Sequence, residues 1–128
     1  MKRVELENRL IRFSVMVNEI INRLPKNYFG ENIAKQLARS AVSPVLNYAE
    51  AQSAESRKDF IHKMKVVLKE LRETYAGLKL IEESKQINIS EKLQKTINEN
   101  NELISIFVSS IETARINDLK SKINKSKS

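Results

Sequence analysis

The chain has 128 residues, of which 23 are Lys or Arg and 16 are Asp or Glu, so its formal net charge is +7 at pH 7. This length is that of one domain with room for a hydrophobic core. The positive balance favours an anionic partner such as nucleic acid, or else serves solubility alone, and net charge does not separate the two. Because the sequence has no cysteine, disulfides, thiolate nucleophiles and cysteine metal sites are excluded.

Two further patterns bound the class of protein. No run of apolar residues approaches the ~20 that a membrane span needs, and acidic residues stand where a signal peptide has its apolar region. We therefore expect a cytoplasmic protein with no membrane partner. Only 2 Gly and 2 Pro interrupt the long periodic segments, which predicts an all-α chain.

The first predicted helix runs from about Leu6 to Leu24 and ends at Pro25. Its apolar residues alternate in steps of four and three, which is typical of a helix that packs along one face. They are Leu6, Leu10, Phe13, Val17, Ile20 and Leu24.

The second predicted helix covers about Glu31 to Ala51 and carries Pro44 in its interior. Since proline lacks an N–H and would free the Ser40 carbonyl, we expect a kink in this helix and not a break. Two rows follow its length, an apolar row of Leu37, Ala41, Val45 and Tyr48 and a polar row of Arg39, Ser43, Asn47 and Glu50.

The polar row predicts a structural role. An arginine near the core needs a carboxylate, so we expect Arg39 to pair with Glu70 or Glu73 across the bundle. The alternative is a carboxylate pair in acid–base work, but no nucleophile, metal or glycine loop accompanies it.

The third predicted helix is the longest of the four at about Arg57 to Ser84. Ser56 and Asp59 form a variant of the capping box at its start. Its predicted apolar face consists of Phe60, Met64, Val67, Leu71, Leu78 and Ile81, widened by Ile61, Leu68 and Tyr75.

A turn at Gln86 to Ile89 separates this helix from a fourth, predicted from Ser90 to about Ile116. Asn100 falls among the inward-facing residues of the fourth helix, where it would fix register at some cost in stability. Those inward-facing residues are Leu93, Ile97, Ile104, Phe107, Ile111 and Ala114. Four helices with short connections fold most simply as an antiparallel up-down-up-down bundle, here over residues 1–116, followed by a basic flexible tail over residues 117–128.

Basic residues recur every seven positions along the third helix, and they form the candidate nucleic-acid site. They are Lys58, Lys65, Arg72 and Lys79, with His62 and Lys69 between them and Lys120, Lys122 and Lys125 of the tail as helpers. At 1.5 Å per residue the row is about 30 Å long, which is comparable to one turn of duplex. The alternative is an ordinary solvated helix face. No aromatic residue follows the row, so binding would be electrostatic and would not depend on base stacking.

An acidic flank lies on the same helix at Asp59, Glu70 and Glu73. Together with the basic row it would allow head-to-tail docking of copies that closes into a ring. The competing interpretation is local pairing, for example of Asp59 with Lys63.

The sequence predicts no catalytic residue, cofactor or metal. His62 is the only histidine, and no carboxylate stands at the spacing that a zinc or di-iron site needs. The sequence also lacks a glycine-rich phosphate-binding loop, a dinucleotide-binding motif and the ordered residues of a catalytic triad. We therefore expect a protein that is not an enzyme.

An ordered set of motifs in the middle of the chain resembles a known family. The set comprises Phe29-Gly30, Gln36-Leu37, Arg39-Ser40-Ala41-Val42-Ser43 with Pro44, Asn47-Tyr48-Ala49-Glu50, Ser56-x-x-Asp59-Phe60 and Leu68-Lys69-Glu70-Leu71-Arg72-Glu73-Thr74. The chain is similar in these motifs to the four-helix-bundle family first met in intervening sequences of bacterial large-subunit ribosomal RNA genes. One departure is Ala51, where many members have glycine.

The resemblance implies a small helical protein that assembles as a ring, usually a homopentamer, and has no established enzymatic activity. A related branch contains the accessory proteins of diversity-generating retroelements. These are basic and pentameric, and they associate with a reverse transcriptase and nucleic acid.

Two functions from different classes follow. The first is a basic oligomeric bundle that binds RNA or DNA without specificity, or that serves as a scaffold for a nucleic-acid enzyme such as a reverse transcriptase. The second is a purely structural oligomer that mediates protein contacts through apolar residues left over on the first and fourth helices. Those residues are Ile11, Val15, Ile106 and Val108.

Overall fold

The protein is a bundle of four helices in a computed structural model that describes residues 1–88 and 90–127. The helices are α1 (Arg3–Ile21), α2 (Tyr28–Gln52), α3 (Arg57–Ser84) and α4 (Ser90–Lys127). The described part of the chain contains no strand, so the predicted all-α class is confirmed. Within it, no helix combines the length and the apolar character that crossing a membrane requires.

Neighbouring helices run in opposite directions. Arg39 in the middle of α2 pairs with Glu70 of α3, whereas Glu50 near the end of α2 pairs with Lys63 near the start of α3. α2 packs against α1 and α3, and α4 packs against α3 and α1, so each helix of the bundle has two neighbouring helices. The edge between α1 and α2 therefore lies opposite the edge between α3 and α4.

The helix bounds agree with the sequence at α3 and differ at other points. α2 begins at Tyr28 and not near Glu31, because the Asn27 side chain accepts a hydrogen bond from the Gly30 N–H at 2.8 Å and caps the helix there. α2 then continues through Pro44 without a break. Ser56 caps α3 as predicted, since its Oγ accepts from the Asp59 N–H at 3.0 Å.

The predicted end of α4 near Ile116 is wrong. The helix continues to Lys127, so most of the segment expected to be a tail is helical. A lysine-rich segment without glycine or proline keeps good helix propensity, and the helix persists despite its charge. Ile89 of the predicted turn and Ser128 of the predicted tail lie outside the described residues.

The core lies between all four helices and matches the predicted apolar faces closely. Leu24, Val45, Phe60 and Ile104 are partly buried against it, and Leu103, which was not predicted, is fully buried. The fully or nearly buried apolar residues are Leu6, Leu10, Phe13, Val17, Ile20, Leu37, Ala41, Tyr48, Ala51, Met64, Val67, Leu71, Leu78, Ile81, Leu93, Ile97, Leu103, Phe107 and Ile111.

Polar contacts inside the core tie helices together. The Thr74 hydroxyl of α3 donates to Ser40 Oγ of α2 at 2.7 Å. Asn100 of α4 is fully buried as predicted, and its Nδ2 donates to the Leu71 carbonyl of α3 at 3.1 Å. These bonds connect α3 to both of its neighbours and so fix its register.

Candidate nucleic-acid interface

The first half of α3 and the second half of α4 form the two walls of a shallow basic groove. We call this surface the α3/α4 groove. It is lined by Lys58, Ile61, His62 and Lys65 from α3 and by Arg115, Asp118 and Lys122 from α4.

A contact at the end of the bundle sets the register of the two walls. Arg57, the first residue of α3, donates a hydrogen bond from Nη1 to the Asn117 carbonyl of α4 at 2.8 Å. The two helices are antiparallel, and the chain segments from Lys58 to Lys65 in α3 and from Arg115 to Lys122 in α4 lie side by side. Lys58 and Lys65 therefore share the groove with Arg115 and Lys122.

The groove has a positive charge that its own acid offsets only in part. Among the described residues that line it, Asp118 is the one acid, and it lies 3.2 Å from the Lys122 ammonium. Four cations and one carboxylate leave a formal charge of +3 with His62 neutral. In the described part of the chain, Lys58, Lys65 and Arg115 make no ion pair. These three charges therefore face solvent and are available to an anion.

The remaining residues of the predicted basic row differ in their surroundings. Lys69 and Arg72 are exposed farther along α3. Lys79 donates to Glu82 Oε1 at 2.6 Å, and this hydrogen bond raises the pKa of Lys79. Lys79 therefore shares its charge with a carboxylate, as Lys122 does with Asp118, whereas the members of the basic row from Lys58 to Arg72 make no ion pair among the described residues.

The lysines of the predicted tail lie on two sides of α4. Lys122 belongs to the α3/α4 groove, as described above. Lys120 and Lys125 line a second shallow depression beside Arg57, together with Asn117, Ser121 and Asn124. The end of α4 therefore carries positive charge around much of its circumference.

The predicted pairing of Arg39 across the bundle is confirmed. Its Nη1 lies 2.9 Å from Glu70 Oε2, and its Nη2 lies 2.7 Å from Glu73 Oε2. Burial raises the pKa of Glu70, and the neighbouring Glu73 adds to the rise. The hydrogen bond from Arg39 lowers the pKa of Glu73. Arg39 thus holds two adjacent carboxylates that would otherwise repel each other.

The other members of the polar row also make contacts within the subunit. The Asn47 amide donates to Ser43 Oγ at 2.9 Å and to the Ser43 carbonyl at 3.0 Å. Glu50 accepts from Lys63 at 2.9 Å. The predicted local pair of Asp59 with Lys63 is replaced by an ion pair of Lys63 with Glu50. Two acids of the predicted acidic flank, Glu70 and Glu73, pair with Arg39 within the subunit.

Arg115 is the groove residue that the sequence did not identify. It lies on a different helix from the predicted row, and the sequence does not show which residues of α3 and α4 are adjacent. One signal was available, because Arg115 and Lys122 are also seven positions apart. Lys58 and Lys65 have the same spacing, and two basic rows on neighbouring antiparallel helices lie side by side when the helices pack at the right level.

The described residues contain no group of three or more His, Cys, Asp or Glu side chains that could hold a metal ion. The surface around the groove is open, and its walls present ammonium and guanidinium groups. Such an arrangement attracts anions and does not by itself suggest bond-making chemistry.

Comparison with known proteins identifies the family to which this chain belongs. A family model described as 23S rRNA-intervening sequence protein matches residues 2–109. The chain belongs to this family. The resemblance found in the central motifs therefore extends over α1, α2, α3 and the first half of α4.

A solved structure supports this assignment. It is the crystal structure of a protein with unknown function from the S23 ribosomal protein family of Bacteroides thetaiotaomicron VPI-5482. The two chains are 29% identical, and the match covers 88% of this chain and 99% of that chain with a TM-score of 0.75. No curated protein matches the chain.

Proposed function

We propose that this protein binds double-stranded RNA or DNA through the α3/α4 groove, without sequence specificity and without catalysis. The observation that carries the proposal is the meeting of Lys58 and Lys65 with Arg115 and Lys122 across one groove. In a cytoplasmic setting, such binding suits a scaffold that holds nucleic acid for an enzyme, for example a reverse transcriptase.

The chemistry of the groove favours the phosphate backbone as its ligand. Lysine and arginine bind phosphate oxygens, and each neutralised phosphate releases a counterion, so affinity falls steeply with salt. None of the residues that line the groove is Phe, Tyr or Trp. Base stacking, which gives single-strand binders much of their affinity, is therefore not supplied by this surface.

The test is a fluorescence anisotropy titration of the full chain against labelled duplexes of ~20 base pairs and against single strands of the same length. With four cations in contact, log K should fall against log salt with a slope of about −3 to −4, and unrelated duplex sequences should bind alike. No binding at low salt, or a preference for single strands, would contradict the proposal.

We also propose that the protein is a homo-oligomer whose contacts leave the groove open. Val4, Ile11 and Val15 are exposed on the outer face of α1, and Val42 and Leu46 on that of α2. Apolar residues at these helical spacings suit burial against another surface. The α1/α2 edge lies opposite the α3/α4 groove. A ring formed through it, with five copies as the family resemblance implies, would present the grooves on its exposed side.

This oligomer is also the basis of the second candidate function, a structural protein with no nucleic-acid role. Of the residues predicted for its interfaces, Ile11, Val15 and Val108 are exposed, whereas Ile106 is partly buried. Sedimentation velocity of Ile11→Lys with Val15→Lys should show loss of the assembly. The control, Leu80→Lys with Leu119→Lys, changes exposed apolar residues of α3 and α4 and should keep it. A parent chain that is monomeric at micromolar concentration would contradict the oligomer.

A further inference from the structure

The last turns of α4 extend past the start of α1. Arg9 of α1 pairs with Glu99 and Glu102 of α4, and Glu19 pairs with Lys92, so α1, which begins at Arg3, accompanies the antiparallel α4 only to about residue 108. α4 continues to Lys127 with α3 on one side only, a further ~30 Å at 1.5 Å per residue. This overhang also lies outside the part of the chain that the family model matches, which ends at residue 109.

The overhang has an apolar stripe on its outer side, which we define as Ile116, Leu119 and Ile123. Their exposed fractions are 43%, 59% and 53%. Their spacing of three and then four residues places Ile116 and Ile123 at a positions and Leu119 at a d position of a heptad. A stripe of this kind is the docking edge of a helix that pairs with another helix.

The positions on both sides of the stripe are basic. In this register Arg115 and Lys122 occupy g positions and Lys120 an e position, and all three are exposed. The Lys122 charge is partly met by Asp118 at 3.2 Å, one turn earlier on the helix. The charges at e and g positions decide which partner a heptad stripe accepts.

Those charges exclude a second copy of the same stripe. In a parallel pair, g residues face e residues of the other helix, and in an antiparallel pair g faces g and e faces e. With Arg115, Lys120 and Lys122 at these positions, either orientation brings cations together. Three aliphatic side chains bury too little surface to overcome that repulsion and hold a dimer.

We propose that this overhang of α4 is a docking site for an acidic amphipathic helix of a partner protein. The partner helix presents aliphatic residues at its own a and d positions and Glu or Asp at e and g. Its aliphatic residues cover Ile116, Leu119 and Ile123, and its carboxylates pair with Arg115, Lys120 and Lys122. The site is separate from the α1/α2 faces proposed for self-assembly.

The probe is a synthetic helix of three heptads with Ile and Leu at a and d and Glu at e and g. Its own glutamates prevent it from pairing with itself. In anisotropy titrations at low salt it should bind the full chain. Leu119→Lys with Ile123→Lys should weaken it at least tenfold. The control, Tyr28→Lys with Leu80→Lys, should bind as the parent does, because each of these residues is at least as exposed as Ile123 but lies elsewhere.

Three outcomes would overturn the proposal. The probe fails to bind the parent, or it binds the Leu119→Lys, Ile123→Lys variant equally well, or a matched probe with Lys at e and g binds as tightly. Two further measurements identify a different occupant and also count against it. These are loss of self-association in the variant by sedimentation, and variant-sensitive binding of the parent to phosphatidylserine vesicles when the probe does not bind. Because Arg115 and Lys122 are unchanged in the variant, duplex binding should persist, so the two proposals fail separately.

Discussion

Arg39 of α2 holds Glu70 of α3 in an ion pair of 2.9 Å, although Glu70 is almost fully buried and Arg39 is largely exposed. Glu73 joins the same guanidinium at 2.7 Å. The two carboxylates therefore share one cation in different surroundings. Burial raises the pKa of Glu70, while the hydrogen bond from Arg39 lowers that of Glu73.

These opposite shifts predict opposite pH dependences of stability. A raised pKa in the folded state means that Glu70 costs stability as the pH rises above its ordinary value of 4.5. A lowered pKa means that Glu73 adds stability as the pH rises towards 4.5 from below. Urea unfolding across acidic and neutral pH should show these slopes as differences between the parent and Glu70→Gln or Glu73→Gln.

The double variant, Glu70→Gln with Glu73→Gln, is the control for this measurement, because it removes both titrations. The difference in unfolding free energy between the parent and each single variant should change with pH in opposite directions. Changes in the same direction would mean that Glu70 and Glu73 titrate alike, which would contradict the opposite pKa shifts.

A second prediction concerns Gly30 at the start of α2. A Cβ placed there would lie 1.8 Å from the Pro25 carbonyl oxygen, which belongs to the backbone and has little freedom to move. We expect Gly30→Ala to lower the free energy of unfolding by about 3 kcal/mol or more. In thermal unfolding its midpoint should fall well below that of the parent.

Gly77→Ala is the matched comparison for Gly30→Ala. The nearest atom to a Cβ at Gly77 is Leu37 Cδ2 at 2.8 Å, the end of a flexible side chain. The gain in helix propensity of about 1 kcal/mol offsets part of the contact. Equal losses at the two positions would contradict the special role of the Pro25 carbonyl.

A third prediction follows from Asn100, which is fully buried in α4 and donates to the Leu71 carbonyl. Asn100→Asp removes the donor and places a carboxylate against a carbonyl oxygen in the core. We expect a loss of about 3 kcal/mol or more at pH 7, because a buried charge without a partner is costly. The loss should shrink at pH 4 as the Asp takes up a proton. Unfolding in urea at both pH values measures it, and an undiminished loss at pH 4 would contradict this explanation.

Much of the fold follows from local pattern. The steps of four and three from Leu6 to Ile20 predict the buried face of α1, and Ser56 predicts the start of α3 through its cap. Arg39 could be paired with Glu70 and Glu73 from the sequence, because an arginine beside an apolar row needs a carboxylate.

The features that the sequence did not reveal depend on how elements meet. Gly30 is required by a loop carbonyl whose position only the folded chain defines. The predicted apolar face of α4 stepped to Ile104, which is partly buried, whereas Leu103 is fully buried. Leu103 follows the buried Thr96 by seven positions, so the buried side of α4 includes a flank that the apolar pattern did not mark. Arg115 joins Lys58 and Lys65 only through the pairing of α3 with α4.

We propose that the α3/α4 groove, and not net charge alone, holds duplex nucleic acid. Two triple variants test it, each lowering the formal charge from +7 to +1, since every reversal removes two charges. The groove variant is Lys58→Glu, Lys65→Glu and Arg115→Glu. The control variant is Arg23→Glu, Lys26→Glu and Lys85→Glu, which changes exposed cations at the end of the bundle opposite the groove.

The decisive measurement is the salt dependence of duplex binding by the parent and both triple variants, with helicity checked by circular dichroism. We predict that the groove variant loses about a hundredfold in affinity at low salt and that its log–log slope is shallower by about three. The control variant should keep most of the affinity and the slope of the parent. Equal losses in the two variants, or no loss in either, would contradict the claim.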